Sequence, residues 1–276
     1  MRFTKWQGCG NDFVLIDCRE KEIDYAAFAR KVCDRHYGVG ADGVLVVLPS
    51  AKADIRMREF NTDGSEAEMC GNGIRCFARY LYDNQIIKKT KFTVETFQDV
   101  LVPEILLKNG EVTGVRVDMG EPILAGEEVP VTGWGREQVV DEPVEVAGET
   151  YRITAVSMGN PHCVVFVDDA EHFPLEEVGP AFESQPRFPR RTNTEFVEVR
   201  DRQHVRMRVY ERGAGVTLAC GTGSCATLVA GVLTGRTDRR IELTLDGGRL
   251  VCEWDEATNH VFMTGPAEQV FTGEID

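Results

Sequence analysis

The chain of 276 residues carries 31 lysines and arginines against 45 aspartates and glutamates, which gives a formal net charge of −14. This charge argues against nucleic acid or an anionic membrane surface as a partner, and no apolar run reaches the roughly 20 residues of a membrane span. The nine cysteines are odd in number and the first residues lack the apolar core of a signal peptide, so we expect a cytoplasmic protein without a disulfide framework.

The first segment, residues 2–17, is predicted to form two strands broken by the turn Gly8-Cys9-Gly10-Asn11-Asp12. Glycines beside an asparagine favour a tight, exposed turn that presents a carboxamide, here that of Asn11. For an isolated Gly-Asn pair, turn chemistry alone is a sufficient explanation. Further along, Asp24 is a candidate N-cap for a helix that ends near His36.

A cysteine stands at the start of the next predicted helix. The motif Glu68-Met69-Cys70-Gly71-Asn72-Gly73 leads into apolar residues at helical spacing up to residue 83. At a helix start, the macrodipole and the unpaired N–H groups favour a thiolate over a thiol. The flanking glycines predict that the Cys70 thiol is exposed, and the turn at Asn61 precedes it closely enough for that side chain to reach the same ligand.

The second half of the chain repeats these features at an offset of 150 positions. Cys220-Gly221-Thr222-Gly223 again opens an apolar helix, and Arg56-Met57-Arg58 recurs as Arg206-Met207-Arg208. Gly159-Asn160 echoes Gly10-Asn11, one residue off that spacing. We interpret the chain as two copies of one structural unit, joined near residue 120, each with one cysteine at a helix start.

Short turns connect the strands predicted in each half, and one long helix interrupts them. This order predicts an α+β fold with mainly antiparallel sheets. The glycines after each cysteine lack the third glycine of a dinucleotide fingerprint, so NAD is not expected. Further strands are predicted at 44–48, 53–60, 92–102, 112–119, 194–199 and 204–210, and a short helix is predicted around 175–178.

Several functions are open to a pair of cysteines at helix starts. Inert core burial is the usual fate of a free cysteine, and it is expected for Cys9, Cys18, Cys33, Cys76, Cys163, Cys225 and Cys252. No Cys-x-x-Cys pair or histidine cluster supports a zinc site, so no metal is expected. Such a pair would also suit a redox dithiol, a single cysteine nucleophile with a histidine partner, or a binding module without chemistry.

Proton transfer at both faces of one carbon accounts for both cysteines. A thiolate of one half would remove the α-proton of a substrate, and a thiol of the other half would protonate the opposite face, in a dry cleft closed by the two units. The N–H groups of Gly71-Asn72-Gly73 and Gly221-Thr222-Gly223 are suited to bind the carboxylate on which negative charge develops.

On its motifs the chain resembles the diaminopimelate epimerase family over nearly its whole length. The most specific pieces are 8–13, 60–65, 69–76, 159–162, 210–215 and 220–223. The resemblance implies a pyridoxal-phosphate-independent isomerase that needs no cofactor and interconverts LL- and meso-2,6-diaminopimelate, on the route to lysine and peptidoglycan. It also implies two pseudo-symmetric domains, each a mainly antiparallel sheet or barrel around a central helix: 1–119 plus 264–276 with Cys70, and 120–263 with Cys220.

The resemblance also assigns roles to individual residues. Cys70 and Cys220 would be the acid/base pair, His162 and Glu211 would tune the thiols, and Phe271 would contact the second copy in a homodimer. Gly43 stands where some relatives have a glutamine that touches substrate, so that side-chain contact is missing. The substrate-binding residues would be Asn11, Asn61, Gly71, Asn72, Asn160, Asn193, Glu211, Arg212, Gly221 and Thr222.

Two different functions stay open beside this one. Proline racemase and its relatives are similar in fold and in the paired cysteines, but they usually have histidine in place of Asn72 and lack the run Tyr210-Glu211-Arg212-Gly213-Ala214-Gly215. A thiol oxidoreductase would use Cys70 and Cys220 as a dithiol that passes through a disulfide in each turnover.

Overall fold

The structure is a computed structural model that describes residues 1–67, 70–97, 99–135 and 138–275. Glu68 and Met69, which open the first cysteine motif, lie outside the described residues. The chain divides into two compact units, Met1–Asp118 with Thr264–Asp276, and Met119–Met263. Within the described ranges, no helix combines the length and the apolar character that crossing a bilayer requires.

Among its described residues, the first unit contains eight strands and two helices before residue 119, and one more strand at the end of the chain. In chain order these are β1 (Arg2–Gly8), β2 (Asn11–Asp17), α1 (Tyr25–Val32), β3 (Gly43–Leu48), β4 (Ile55–Asn61), α2 (Gly71–Asp83), β5 (Val94–Glu95), β6 (Val100–Leu101), β7 (Glu104–Lys108) and β8 (Glu111–Asp118).

The second unit contains the following strands and helices, of which the last strand runs past Met263. They are β9 (Glu142–Val146), β10 (Glu149–Ser157), β11 (Pro161–Phe166), α3 (Leu175–Glu183), β12 (Asn193–Val199), β13 (His204–Glu211), β14 (Gly215–Thr217), α4 (Gly221–Leu233), β15 (Arg240–Thr244), β16 (Arg249–Trp254) and β17 (Val261–Gly265). The chain then ends with β18 (Glu268–Glu274), which belongs to the first unit.

The sheet of the first unit has the order β18-β1-β2-β3-β4-β5-β6. Strand β18 pairs antiparallel with β1, β2 runs parallel to β3, and β3 pairs antiparallel with β4. Helix α2 packs against β1, β2, β4 and β18 and against the β7–β8 hairpin. Its side chains Ile74, Phe77 and Leu81 recur at helical spacing and are fully buried, which makes α2 the centre of the core of this unit.

The sheet of the second unit has the order β9-β10-β11-β12-β13-β15-β16-β17. As in the first unit, a parallel pair, β11–β12, is followed by an antiparallel pair, β12–β13. Helix α4 packs against β10, β11, β12, β15 and β16. Cys225, Leu228 and Val229 are fully buried and small residues surround them, so α4 is enclosed on most of its surface.

These two units confirm the predicted α+β class. Asp24 caps α1 as expected, since its carboxylate accepts the N–H of Ala27 at 2.9 Å. Two local predictions differ from the structure. Helix α1 ends at Val32 rather than near His36, where the chain turns, and the strand expected over 92–102 is reduced to the two-residue strands β5 and β6.

A partly buried ion-pair network holds the end of the β1–β2 hairpin. The Asp12 carboxylate lies 2.7 Å from Lys5 Nζ and 2.8 Å from Arg35 Nη2. Burial opposes ionisation of Asp12, but the hydrogen bonds from Arg35 and Lys5 outweigh it and lower the pKa of Asp12 to about 2. Because the carboxylate neighbours Asn11, this network also fixes the first residue of β2.

Asp12 should stabilise the fold at neutral pH and lose that effect in acid. A carboxyl whose pKa is lower in the folded chain contributes fully above its unfolded pKa, about 3.9, and progressively less as pH falls toward 2. We expect Asp12→Asn to lower the urea midpoint at pH 6, and we expect this difference to shrink as pH falls from 4 toward 2. A difference that stays constant over this range would contradict the assignment.

Candidate active site

The first cysteine lies at the start of α2, where the sequence predicted it. Cys70 is the N-cap, with extended backbone angles of φ −136° and ψ 113°, and its Sγ accepts the N–H of Gly73 at 3.4 Å. Its side chain is partly exposed. The N–H groups of the first helical turn have no partners within the helix, so an anion beside Cys70 would find hydrogen-bond donors there.

The turn between β1 and β2 delivers a carboxamide to this thiol. Cys9 and Gly10 both have positive φ, 53° and 81°, as a two-residue type I′ hairpin loop requires. The loop ends at Asn11, whose Oδ1 lies 3.5 Å from Cys70 Sγ and accepts a hydrogen bond from Asn72 Nδ2 at 3.3 Å. Of the residues expected to bind substrate in this unit, the structure therefore brings Asn11 and Asn72 to the thiol.

A fully buried arginine supports the helix start from within the unit. Arg75 donates to Asn72 Oδ1 at 2.7 Å, to the Gly71 carbonyl at 3.0 Å and to the Pro266 carbonyl at 3.1 Å. These three bonds fix the Asn72 side chain and join α2 to the segment that precedes β18. The position of Asn72 is thus set by a residue that the sequence analysis did not single out.

A buried carboxyl lies under the same helix turn. Glu59, on β4, is only 7% exposed, and a Cβ atom at Gly73 would lie 2.7 Å from its Oε2. Burial raises the pKa of Glu59 to about 8, and a hydrogen bond with the Cys70 side chain opposes that rise. Glycine at position 73 is what allows the carboxyl to approach the helix this closely.

The second cysteine has the same local geometry in its own unit. Cys220 is the N-cap of α4, with φ −127° and ψ 114°, and its Sγ accepts the N–H of Gly223 at 3.4 Å. Thr222 Oγ1 lies 3.6 Å from the sulfur. In contrast to the exposed thiol that the glycines predicted, Cys220 is buried and only 6% exposed, in a unit where β11 and β12 pack against α4.

A histidine and a glutamate lie under the Cys220 helix. His162 Nδ1 and Glu195 Oε1 are 2.7 Å apart, and both side chains are fully buried. The other ring nitrogen, Nε2, lies 3.0 Å from Asn160 Oδ1. Asn160 and His162, both predicted site residues, are therefore linked directly to each other, and His162 stands next to Cys220.

Glu211 is the second acidic group beside this thiol. It ends β13, and its carboxylate accepts a hydrogen bond from the Thr217 hydroxyl. Burial raises the pKa of Glu211, and the hydrogen bonds with Thr217 and Cys220 and the charge of His162 act in the opposite direction. The structure thus places both predicted tuning residues, His162 and Glu211, at Cys220.

Neither thiol has the lowered pKa that its helix start suggested. Burial raises the pKa of Cys70 most and the charge of Glu59 raises it further, while the N–H groups of Gly73 and Asn72 lower it by less. Burial also raises the pKa of Cys220, with Glu211 and Glu195 adding to it. Desolvation and nearby acidic groups outweigh the helix dipole in both units, so the surroundings of each sulfur favour the thiol over the thiolate.

The other predicted site residues are placed as follows. The Asn193 side chain accepts the N–H of Arg212 at 2.9 Å and donates to the Pro161 carbonyl at 2.9 Å, which ties the end of β13 to the Asn160 turn. Asn61 donates to Ser65 Oγ at 3.0 Å, across its own turn. A side chain at Gly43 would meet the Phe60 carbonyl at 3.0 Å, so the backbone here leaves little space for one.

His162, Glu195 and Cys220 offer ligand atoms that all lie within 4.8 Å of one another. Sequence spacing did not reveal this cluster, because the three residues lie on β11, on β12 and before α4. Imidazole, carboxylate and thiolate are all zinc ligands. His162 Nδ1 and Glu195 Oε1 already hydrogen-bond to each other, and the absence of a metal stays a prediction.

Sequence reasoning missed the two buried glutamates, Glu59 and Glu195. Glu59 follows buried Ile55 and Met57, which alternate with partly buried residues along β4, and Glu195 lies among the first five residues of β12, all of which are buried. A single acidic residue in such a pattern is a signal in the sequence, since a charge is rarely buried without a reason.

Comparison with known proteins agrees with these observations. The family model described as Diaminopimelate epimerase matches residues 3–125 and 154–270. Diaminopimelate epimerases of Pelotomaculum thermopropionicum and Moorella thermoacetica are each 54% identical to the chain over 277 aligned positions, covering 99% and 100% of it and 98% and 99% of the relative.

Solved structures share the fold at low identity. A phenazine biosynthesis protein of the PhzF family from Bacillus anthracis superposes with a TM-score of 0.72 at 20% identity, over 100% of this chain and 98% of the other. A probable proline racemase from Agrobacterium radiobacter gives 0.71 at 12% identity, over 100% and 92%. With cysteine N-caps in both units, a family match over most of the sequence and close relatives along its full length, the chain belongs to the diaminopimelate epimerase family.

Proposed function

We propose that the protein interconverts LL- and meso-2,6-diaminopimelate without a cofactor, by proton transfer at one α-carbon. The observation that carries this proposal is the pair of cysteine N-caps, Cys70 and Cys220, of matching geometry on two thirteen-residue helices. An enzyme that inverts a stereocentre needs one group to remove a proton and another to supply one. The reaction would serve lysine and peptidoglycan precursor synthesis.

The two sulfurs would exchange roles with the direction of reaction. One enters as thiolate and takes the α-proton, and the other enters as thiol and donates its proton to the opposite face of the carbon. Because both thiols have raised pKa values, a thiolate formed here is a stronger base than one in water. His162 and Glu211 would set the protonation state of Cys220, as their contacts with it suggest.

Backbone amides would carry the negative charge that develops on the α-carboxylate. Gly71 and Asn72 in one unit, and Gly221 and Thr222 in the other, stand in the first turn of a helix whose N–H groups face outward along the axis. Removing one donor of this kind typically costs about 2.7 to 4 kcal/mol of transition-state stabilisation.

The unreactive end of the substrate is also an amino acid, with its own carboxylate and ammonium. Carboxamides, one cation and one anion suit such a group, and we assign Asn11, Asn61, Asn160, Asn193, Arg212 and Glu211 to substrate binding. Arg212 is exposed at the end of β13, where its backbone is held by Asn193. A homodimer with Phe271 at its contact, a cytoplasmic location and the domain limits 1–119 plus 264–276 and 120–263 complete the proposal.

Proton NMR in deuterated water tests the reaction directly. We expect the α-proton signal of LL-diaminopimelate to disappear as solvent deuterium enters and the meso isomer forms. L-Lysine, which lacks the second carboxylate, should keep its α-proton under the same conditions. Loss of the α-proton from L-proline, with none from LL-diaminopimelate, would favour a proline racemase-like activity instead.

A further inference from the structure

Each cysteine helix lies over a buried carboxyl, which in both units belongs to the same cross-strand pair of the sheet. In the first unit Glu59 of β4 is paired in register with Leu45 of β3, and in the second Glu195 of β12 is paired with Val209 of β13. Strands β3 and β4 precede α2 as β12 and β13 precede α4. The acidic residue of this cross-strand pair is therefore on the second strand, β4, in the first unit and on the first strand, β12, in the second unit.

The third residue of each helix is glycine, and the carboxyl occupies the space beside it. A Cβ at Gly73 would lie 2.7 Å from Glu59 Oε2, and a Cβ at Gly223 would lie 2.5 Å from Glu195 Oε1. Since each of these glycines donates its N–H to the cysteine sulfur, each carboxyl lies next to the residue that fixes the thiol. A carboxyl under the cysteine is thus built into both units by different strands.

The two carboxyls differ in their partners. Oε2 of each glutamate is buried and has no hydrogen-bond partner among the residues that the structure describes, whereas Glu195 Oε1 lies 2.7 Å from His162 Nδ1 and the Glu59 carboxyl is hydrogen-bonded to the Cys70 side chain. A buried acidic oxygen without a partner costs folding free energy, so its presence points to a use in the native state.

The titratable groups that interact with Glu59 lie in α2 and at its N-cap. Cys70 is hydrogen-bonded to the carboxyl, and the charge of Glu59 acts on Cys70 and Cys76, on which the charge of Arg75 also acts. The facing strand β3, Gly43–Leu48, contains no titratable side chain. Ionised Glu59 raises the pKa of Cys70 and of Cys76, and Arg75 lowers both, so carboxyl and thiol compete for one negative charge.

We propose that Glu59 is the positioning residue of Cys70, whose carboxylate keeps the thiol protonated above the pH at which Glu59 ionises. Above the pKa of the carboxyl, its negative charge opposes the formation of a thiolate next to it. For catalysis, which rests on the proposed function, Glu59 would help Cys70 keep the proton that it donates in the direction of reaction in which Cys70 is the acid.

Alkylation of Cys70 by iodoacetamide tests this inference on the full-length protein. Peptide mass spectrometry follows carbamidomethylation of Cys70 separately from the other eight cysteines between pH 7 and 11. In Glu59→Gln the charge is gone, so we expect Cys70 to ionise at lower pH and to react on the order of tenfold faster at pH 9.5. Glu66→Gln, on a carboxylate that Arg58 already pairs at 2.7 Å, is the matched control and should leave the Cys70 profile unchanged.

A second variant protects the test against misfolding. Glu59→Val installs the residue type that the second unit has at this register position, Val209, and should shift the Cys70 titration in the same direction. In both variants the limb of the pH profile of kcat/KM that Cys70 sets should move to lower pH. An unchanged Cys70 titration in folded Glu59→Gln and Glu59→Val would overturn the inference, even if epimerisation is observed. A shifted titration without any epimerisation would overturn the proposed function alone.

Discussion

Cys220→Ala is expected to abolish epimerisation, and Cys70→Ala is expected to do the same. If the two sulfurs act as acid and base at one carbon, loss of the base prevents formation of the carbanion. Loss of the acid prevents its reprotonation on the opposite face. General acid–base groups contribute about 10²- to 10⁴-fold each, so we expect turnover to fall by about 10³-fold or more in each variant.

Each helix supplies its own control for this experiment. Cys76 in α2 and Cys225 in α4 are fully buried a few residues after the N-cap cysteines. Cys76→Ala and Cys225→Ala should reduce stability slightly but keep most of the activity. Turnover is measured by proton NMR in deuterated water, and circular dichroism verifies folding. The turnover distinguishes the N-cap variants from the two control variants. Full turnover by Cys220→Ala would rule out the two-base reaction, and a loss in all four variants would indicate damage to the helices instead.

Arg75→Met should strongly destabilise the first unit. Arg75 is fully buried and satisfies three acceptors: Asn72 Oδ1 and the carbonyls of Gly71 and Pro266. Methionine fills a similar volume, but it leaves these oxygens without their donors. An unsatisfied buried polar group costs about 1 to 3 kcal/mol, so we expect a loss of about 3 to 5 kcal/mol in the free energy of unfolding.

Urea unfolding followed by circular dichroism measures this loss. Arg79→Met is the matched control on the same helix, because Arg79 makes a partly exposed ion pair with Asp83 at 2.7 Å. Such pairs are worth about 0.3 to 0.5 kcal/mol. Activity gives a second measure, since Asn72 loses the contact that fixes it beside Cys70. Equal unfolding free energies for the two variants would show that Arg75 is not what holds the helix start.

The position of each cysteine at a helix start could be predicted from the sequence. An N-cap depends on a few neighbouring residues, and the glycines after Cys70 and Cys220 together with apolar residues at helical spacing define where α2 and α4 begin. The same local character made the Asp24 cap and the α+β order of elements predictable. The repeat between the halves further predicted that the two cysteines occupy equivalent positions in their units.

The protonation state of those thiols could not be predicted in this way. The helix start alone favours a thiolate, but the pKa of each sulfur is raised by burial and by carboxyls that come from other strands. Glu59 and Glu195 reach their cysteines only because sheet register puts them under Gly73 and Gly223. Electrostatic effects of this kind depend on distances across the fold.

The amino-acid order by itself determined the helices, their cysteine caps, the duplication and the family, because these features depend on neighbouring residues or on motifs. Tertiary structure alone decided which side chains surround each sulfur. His162 meets Glu195 from 33 positions away, and β18 at the end of the chain pairs with β1 at its beginning. Contacts so distant in sequence form only when the sheet closes, and the desolvation that sets the thiol pKa values exists only in the packed core.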